Sequence, residues 1–166
     1  MAIEHDFFGL LESGPDGSIF WSENVDLGDQ SVTVDLTAPD QDDVSEDALD
    51  VAASMVASLE SIDETARHAM LAEVDDRTSE VTEYILHQQS TLGDDLESLL
   101  VDISGDDSVD IIRSLQLMSM TILADEHGGD DPFAVLEYAL DPDATDDVLL
   151  VNLTSDGAVQ SVTSAD

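Results

Sequence analysis

The stretch Ser31–Ile62, SVTVDLTAPDQDDVSEDALDVAASMVASLESI, changes its hydrophobic period in the middle. Val32, Val34 and Leu36 alternate with Ser31, Thr33 and Asp35, the period of two that a half-buried strand requires. Pro39 ends that pattern. From Ala48 the apolar positions fall at Ala52, Met55, Leu59 and Ile62, at spacings of four, three, four and three, which forms one helical stripe. Asp43, with Glu46 three residues on, resembles a capping box and predicts the helix start.

Upstream, the turn signal Gly14-Pro15-Asp16-Gly17 precedes the apolar run Ser18-Ile19-Phe20-Trp21, and Gly28-Asp29 suits a hairpin turn. Residues 1–40 therefore read as β hairpins. Downstream, Ser61 and Glu64 form a second candidate capping box, so a new helix is expected there with Ala66, Ala69, Met70 and Val74 inward. Asp75-Asp76 interrupts it, and a third helix is predicted over Ser79–Gln89, with Val81, Tyr84, Ile85 and Gln88 on one side. Gly93 punctuates before a short fourth helix, Asp95–Leu100, so that residues 43–100 form a helical block. Residues 108–114 fit either a short helix or the entry to a strand.

From Leu115 the pattern turns to β. Leu115 and Leu117 fall on one face, with Met118, Met120 and Ile122 on the other, which predicts a strand covered on both sides. Phe133–Leu140, Val148–Thr154 and Ala158–Thr163 read as further strands, the last two joined by Ser155-Asp156-Gly157 with glycine at the left-handed position. Strands, then helices, then strands favour α+β over a doubly wound sheet. The expected architecture is one domain over residues 1–166. An antiparallel sheet is built from the N-terminal hairpin strands and the strands of residues 115–163, with three to four central helices packed on one face.

The charge is extreme: 40 acidic residues stand against 3 basic ones, for a formal net charge of −37, and lysine is absent. Such a surface repels phosphate, so neither nucleic acids nor anionic membranes are expected partners. Self-repulsion strains the folded state at low ionic strength, and salt relieves it as the screening length falls from about 8 Å at physiological salt to about 3 Å at 1 M. Adaptation to a salty cytoplasm is the simplest account of the acidity; a dedicated cationic protein partner and mimicry of DNA are the sharper ones. There is no cysteine, hence no disulfide or thiolate chemistry. The opening MAIEHDFFGLL lacks the basic and apolar regions of a signal peptide, and a cytoplasmic location is expected.

Three pieces of the chain resemble a bacterial family of unknown function, the one numbered 2004. They are Phe8-Gly9-Leu10-Leu11 followed by Trp21, the strand Val32-Thr33-Val34-Asp35-Leu36, and the helical stretch Leu59-Glu60-Ser61-Ile62-Asp63-Glu64-Thr65-Ala66-Arg67-His68-Ala69 with Glu83-Tyr84-Ile85 downstream. The resemblance implies an α+β domain with an N-terminal hairpin and central helices. It supplies no activity and no functional residues.

Chemistry-bearing motifs are few. There is no G-x-S-x-G elbow, no glycine-rich phosphate loop, no H-E-x-x-H and no lysine for a Schiff base. Asp125, Glu126, His127 and Asp130 form the one candidate metal site, a loop dense in oxygen ligands that suits calcium or magnesium; an ordinary solvated loop explains the same residues. The run Asp141–Asp147 fails as an EF-hand, having Asp146 where glycine is needed and Asn152 where glutamate is needed. Glu137 lies mid-strand between Leu136 and Tyr138, either a less solvated acid–base candidate or an exposed strand position. His68 and His87 lie on neighbouring predicted helices. Arg67, Arg77 and Arg113 are expected to hold elements together through ion pairs. Phe7, Phe8, Phe20 and Trp21 belong either to the first hairpin's core or, if exposed together, to a partner surface.

With no catalytic residue, cofactor or strong metal motif, the expected function is that of a non-enzymatic accessory or protein-interaction domain, salt-tolerant and homo-oligomeric or bound to a protein partner. The alternatives are a metal-dependent or acid–base enzyme using the His127 cluster, and a DNA mimic that occupies a nucleic-acid-binding protein.

Overall fold

The computed structural model describes residues 2–28, 30–101, 103–124, 132–143 and 146–165. The N-terminal hairpin pairs β1 (Ala2–His5) with β2 (Gly9–Glu12) in a separate two-stranded sheet. A six-stranded sheet follows, in the spatial order β3 (Ile19–Leu27), β4 (Gln30–Ala38), β5 (Gln116–Leu123), β6 (Ala134–Ala139), β7 (Val148–Leu153) and β8 (Val159–Ala165). Between β4 and β5 come α1 (Glu46–Ala57), α2 (Leu59–Glu73), α3 (Glu80–Leu92), the single turn α4 (Leu96–Leu99) and α5 (Asp107–Ser114). The class is α+β.

The order of strands follows the chain, but the sheet is mixed rather than antiparallel throughout. β4 and β5 are parallel, and every other pair in this sheet is antiparallel. Antiparallel neighbours can be joined by a tight turn, whereas parallel ones need a long crossover. The helical block between Ala38 and Gln116 is that crossover, and it returns the chain to the same end of the sheet.

Period two builds the inward face. Val34, Met120, Leu136, Val151 and Val162 stand in one cross-strand row, and all five are buried. Burying each such side chain contributes about 1.5–3 kcal/mol. The helices cover this face: α3 packs along β7 and β8, and α2 reaches β8 and α5. Their inner residues include Ile62, Ala66 and Met70 of α2 and Val81, Tyr84 and Ile85 of α3.

β5 departs from the expected two-sided strand. A register shift between Leu117 and Ser119 inserts one residue, so Leu117, Met120 and Ile122 all turn inward. A bulge of this kind resets the alternation that a strict period of two assumes. The ambiguous residues 108–114 form α5, whose N-terminus is capped by Asp106 accepting from Ser108 N and Val109 N. The first two helix starts also differ from expectation. Ser45, not Asp43, caps α1 by accepting from Ala48 N at 3.0 Å. The chain breaks at Ser58, and Ser61 lies inside α2.

Candidate functional site

The four predicted metal-site residues, Asp125, Glu126, His127 and Asp130, lie outside the described residues. Among the described residues no group of three or more histidines and carboxylates is placed to hold a metal ion. The other histidines have separate surroundings. His5 accepts from Phe7 N at Nδ1 (3.1 Å) and contacts the Asp50 carboxylate through Nε2 (2.8 Å), tying the first hairpin to α1. His68 is exposed on α2, while His87 is turned to Asp147, with Nε2 to Oδ2 at 2.9 Å.

His87 and Asp147 line a cleft of 210 Å³ together with Glu83, Tyr84, Ser164 and Ala165. An imidazole beside a carboxylate is half of an acid–base pair. Among the described residues no hydroxyl is hydrogen-bonded to that imidazole. Burial pushes the Tyr84 hydroxyl up to about 12, with Leu140 N–H opposing and Asp147 adding to the shift. The Asp147 carboxylate also accepts from the buried Gln88 amide at 3.3 Å, so it fastens α3 to the start of β7. A larger groove of 510 Å³ runs between α1, α2 and the β7–β8 turn, with hydroxyls at Ser54, Ser58 and Ser155 above a floor of Met55 and Ile62.

Arg67 forms the ion pair expected of it. Its Nε donates to Asp63 at 3.1 Å, one turn back on α2, while Nη1 and Nη2 donate to the carbonyls of Ile112 (3.0 Å) and Leu115 (2.7 Å). Arg77 is exposed in the turn after α2. Periodicity gave no sign of Asp110, which is fully buried on α5 and accepts from the Ser104 amide (2.9 Å) and hydroxyl (2.7 Å). A Ser-x-x-x-x-x-Asp loop closure, six positions long, has no sequence signature strong enough to find it. The aromatics divide: Phe8 is buried and meets the half-buried Trp21 edge-on, with centroids 4.8 Å apart, while Phe7 and Phe20 are exposed.

The most extensive feature is the outer face of the six-stranded sheet. Two complete rows cross all six strands. One runs Ser22, Asp35, Thr121, Val135, Asn152, Ser161; the other runs Asn24, Thr33, Ser119, Glu137, Leu150, Thr163. Among the described residues no helix is on this side, because the inner residues of the crossover pack against the other face. Glu137 is thus an outward strand position, half-exposed, and its Oε2 accepts from Ser119 Oγ at 3.3 Å. Thr33 donates to Asn24 at 3.1 Å, and Asn152 to Ser161 at 2.9 Å. Neighbouring strands therefore satisfy each other's polar groups laterally. Phe20 extends the face at its β3 edge and is 66% exposed. In a chain with 40 acids, Glu137 is the single acid in the whole of β5, β6, β7 and β8.

No family model, no curated protein and no solved structure matches the chain. Among the described residues no helix is long and apolar enough to cross a membrane.

Proposed function

We propose that this chain is a non-enzymatic protein-interaction domain, adapted to a salty cytoplasm, that associates through the outer face of its six-stranded sheet. One observation carries the reading: a broad, acid-poor face stands uncovered among the described residues of a chain whose net charge is −37. A non-obligate interface is only about as apolar as the rest of a protein surface and is marked instead by scarcity of charge at its core. The likeness to the family numbered 2004 rests on three stretches of sequence and belongs to the same proposal.

Hydroxyl-radical footprinting tests it. In cell lysate at native salt, Leu123, Val135 and Leu150 are expected to lose reactivity relative to the dilute purified chain, while Leu86 on α3, 60% exposed, keeps its own. Unchanged reactivity of the outer face would sink the interaction reading.

A further inference from the structure

We infer that the occupant of this outer face is a second copy of the chain, docked sheet to sheet about a two-fold axis. The inference rests on the interaction reading above and names its partner.

Charge selects the copy. A basic partner would be drawn to the acid-dense loops and helices, not to the part of the surface where acids are scarce. Two chains that each carry −37 repel at almost every approach. The repulsion is least where the two outer faces meet, since the two complete rows of each contribute only Asp35 and Glu137. A two-fold contact uses the same patch on both partners, so a near-neutral face meets a near-neutral face.

The surface chemistry agrees. Ser119 with Glu137, Thr33 with Asn24 and Asn152 with Ser161 already hold each other's polar groups. Covering them with a second sheet strands fewer unpaired donors than covering free side chains would. Leu150 and Val135 then interdigitate between sheets spaced about 10 Å apart. With a strand spacing of about 4.8 Å and a rise of about 3.3 Å per residue, the six strands offer a face of about 25 by 20 Å. Two such faces bury about 1,000 Å², the lower bound of a specific interface, which makes the dimer weak and dependent on screening.

Sedimentation equilibrium of the purified full chain, from about 0.15 M to about 3 M potassium chloride, tests this. The expected result is a dimer at high salt whose dissociation constant rises at least about tenfold at the low end. Leu150→Asp, folded by circular dichroism, is expected to weaken association by about 100-fold or more, and Leu86→Asp on the helical side to leave it unchanged. Glu137→Gln keeps the shape, removes one of the two acids in those rows and should tighten the dimer by about tenfold, which covers the case in which Leu150→Asp does not fold. A wild-type monomer at about 1 mM in high salt overturns the inference. So does a dimer that survives Leu150→Asp, that is lost in Leu86→Asp, or that ignores Glu137→Gln. A purified monomer whose outer face is still protected in lysate overturns the second copy and leaves the interaction reading standing; absence of protection in both settings removes the two together.

Discussion

Tyr138 of β6 donates a 2.7 Å hydrogen bond to the Asp63 carboxylate of α2, joining sheet and helix across 75 positions of sequence. Arg67 stacks over the same ring, 5.3 Å from its centroid, and donates to the same carboxylate. Burial and the adjoining Asp63 charge push the Tyr138 hydroxyl well above its ordinary value, so it serves as a donor throughout the working pH range. Tyr138→Phe should cost about 2 kcal/mol, because Asp63 loses one charge-assisted bond and keeps Arg67. Urea unfolding at constant salt measures it; an unchanged midpoint would show that water replaces the phenol.

Arg67 should be the more sensitive partner. Its planar fork reaches one carboxylate and two backbone carbonyls at once, which an ammonium cannot reproduce. Arg67→Lys is expected to lose about 2 kcal/mol and Arg67→Ala about 3–5 kcal/mol, the latter leaving a largely enclosed charge unpaired. Equal losses in the two variants would mean that only charge, not geometry, matters here.

Tyr84 accepts from the amide of Leu140, a buried residue, at 3.1 Å. Tyr84→Phe orphans that amide and should cost about 1–3 kcal/mol at neutral pH. The sign at alkaline pH is opposite. The folded hydroxyl ionises near 12 against an ordinary 10.0, so the wild type's stability is full below pH 10 and falls as pH rises through that window. The gap between wild type and Tyr84→Phe should narrow there; a constant gap from pH 8 to about 11 would contradict the shift.

Glu73, at the end of α2, is raised from 4.5 by burial first and then by Asp76 and Glu80. The fold therefore holds this proton where the unfolded chain has lost it, and stability falls as pH rises from 4.5 upward through the raised value. Glu73→Gln should stabilise the protein at pH 7 and be neutral near pH 3. Asp76, three residues on, works the other way. Hydrogen bonds from the Thr78 hydroxyl (2.6 Å) and amide (2.9 Å) lower it, so its contribution is present above its usual range and lost as pH falls. Parallel pH profiles for Glu73→Gln and Asp76→Ala would refute this opposition.

Salt should stabilise the fold itself. With −37 charges on one chain, the unfolding midpoint is expected to climb between about 0.1 and 1 M salt as the screening length drops from about 10 to 3 Å. A flat profile would show that the charge is neutralised by bound cations or a partner.

Local signals were legible where the code is local. The alternation at Val32–Leu36, the helix start at Ser79 and the left-handed Gly157 in the last hairpin each depend on residues a few positions apart, and each appears within a residue of where the pattern puts it. The α1–α2 break was read at Ser61, three residues late, because the stripe from Ala48 to Ile62 continues straight across Ser58. The bulge at Met118 was not legible, since an extra residue in a strand is defined by its partner and not by its own sequence. The same limit held for the candidate surface. Glu137 was visible as a mid-strand acid, but its outward direction and its acid-poor surroundings come from strands far apart in sequence, such as those of Thr33 and Ser119.

The amino-acid order alone determined the α+β class, the strand–helix–strand order and the charge, because periodicity, caps and composition are properties of neighbours along the chain. Tertiary structure decided which strands meet in parallel, that Tyr138 finds Asp63, and that no described helix covers one sheet face. Those outcomes depend on how a helical crossover closes a chain on itself, and side chains that meet only after closure carry no mark of it in sequence.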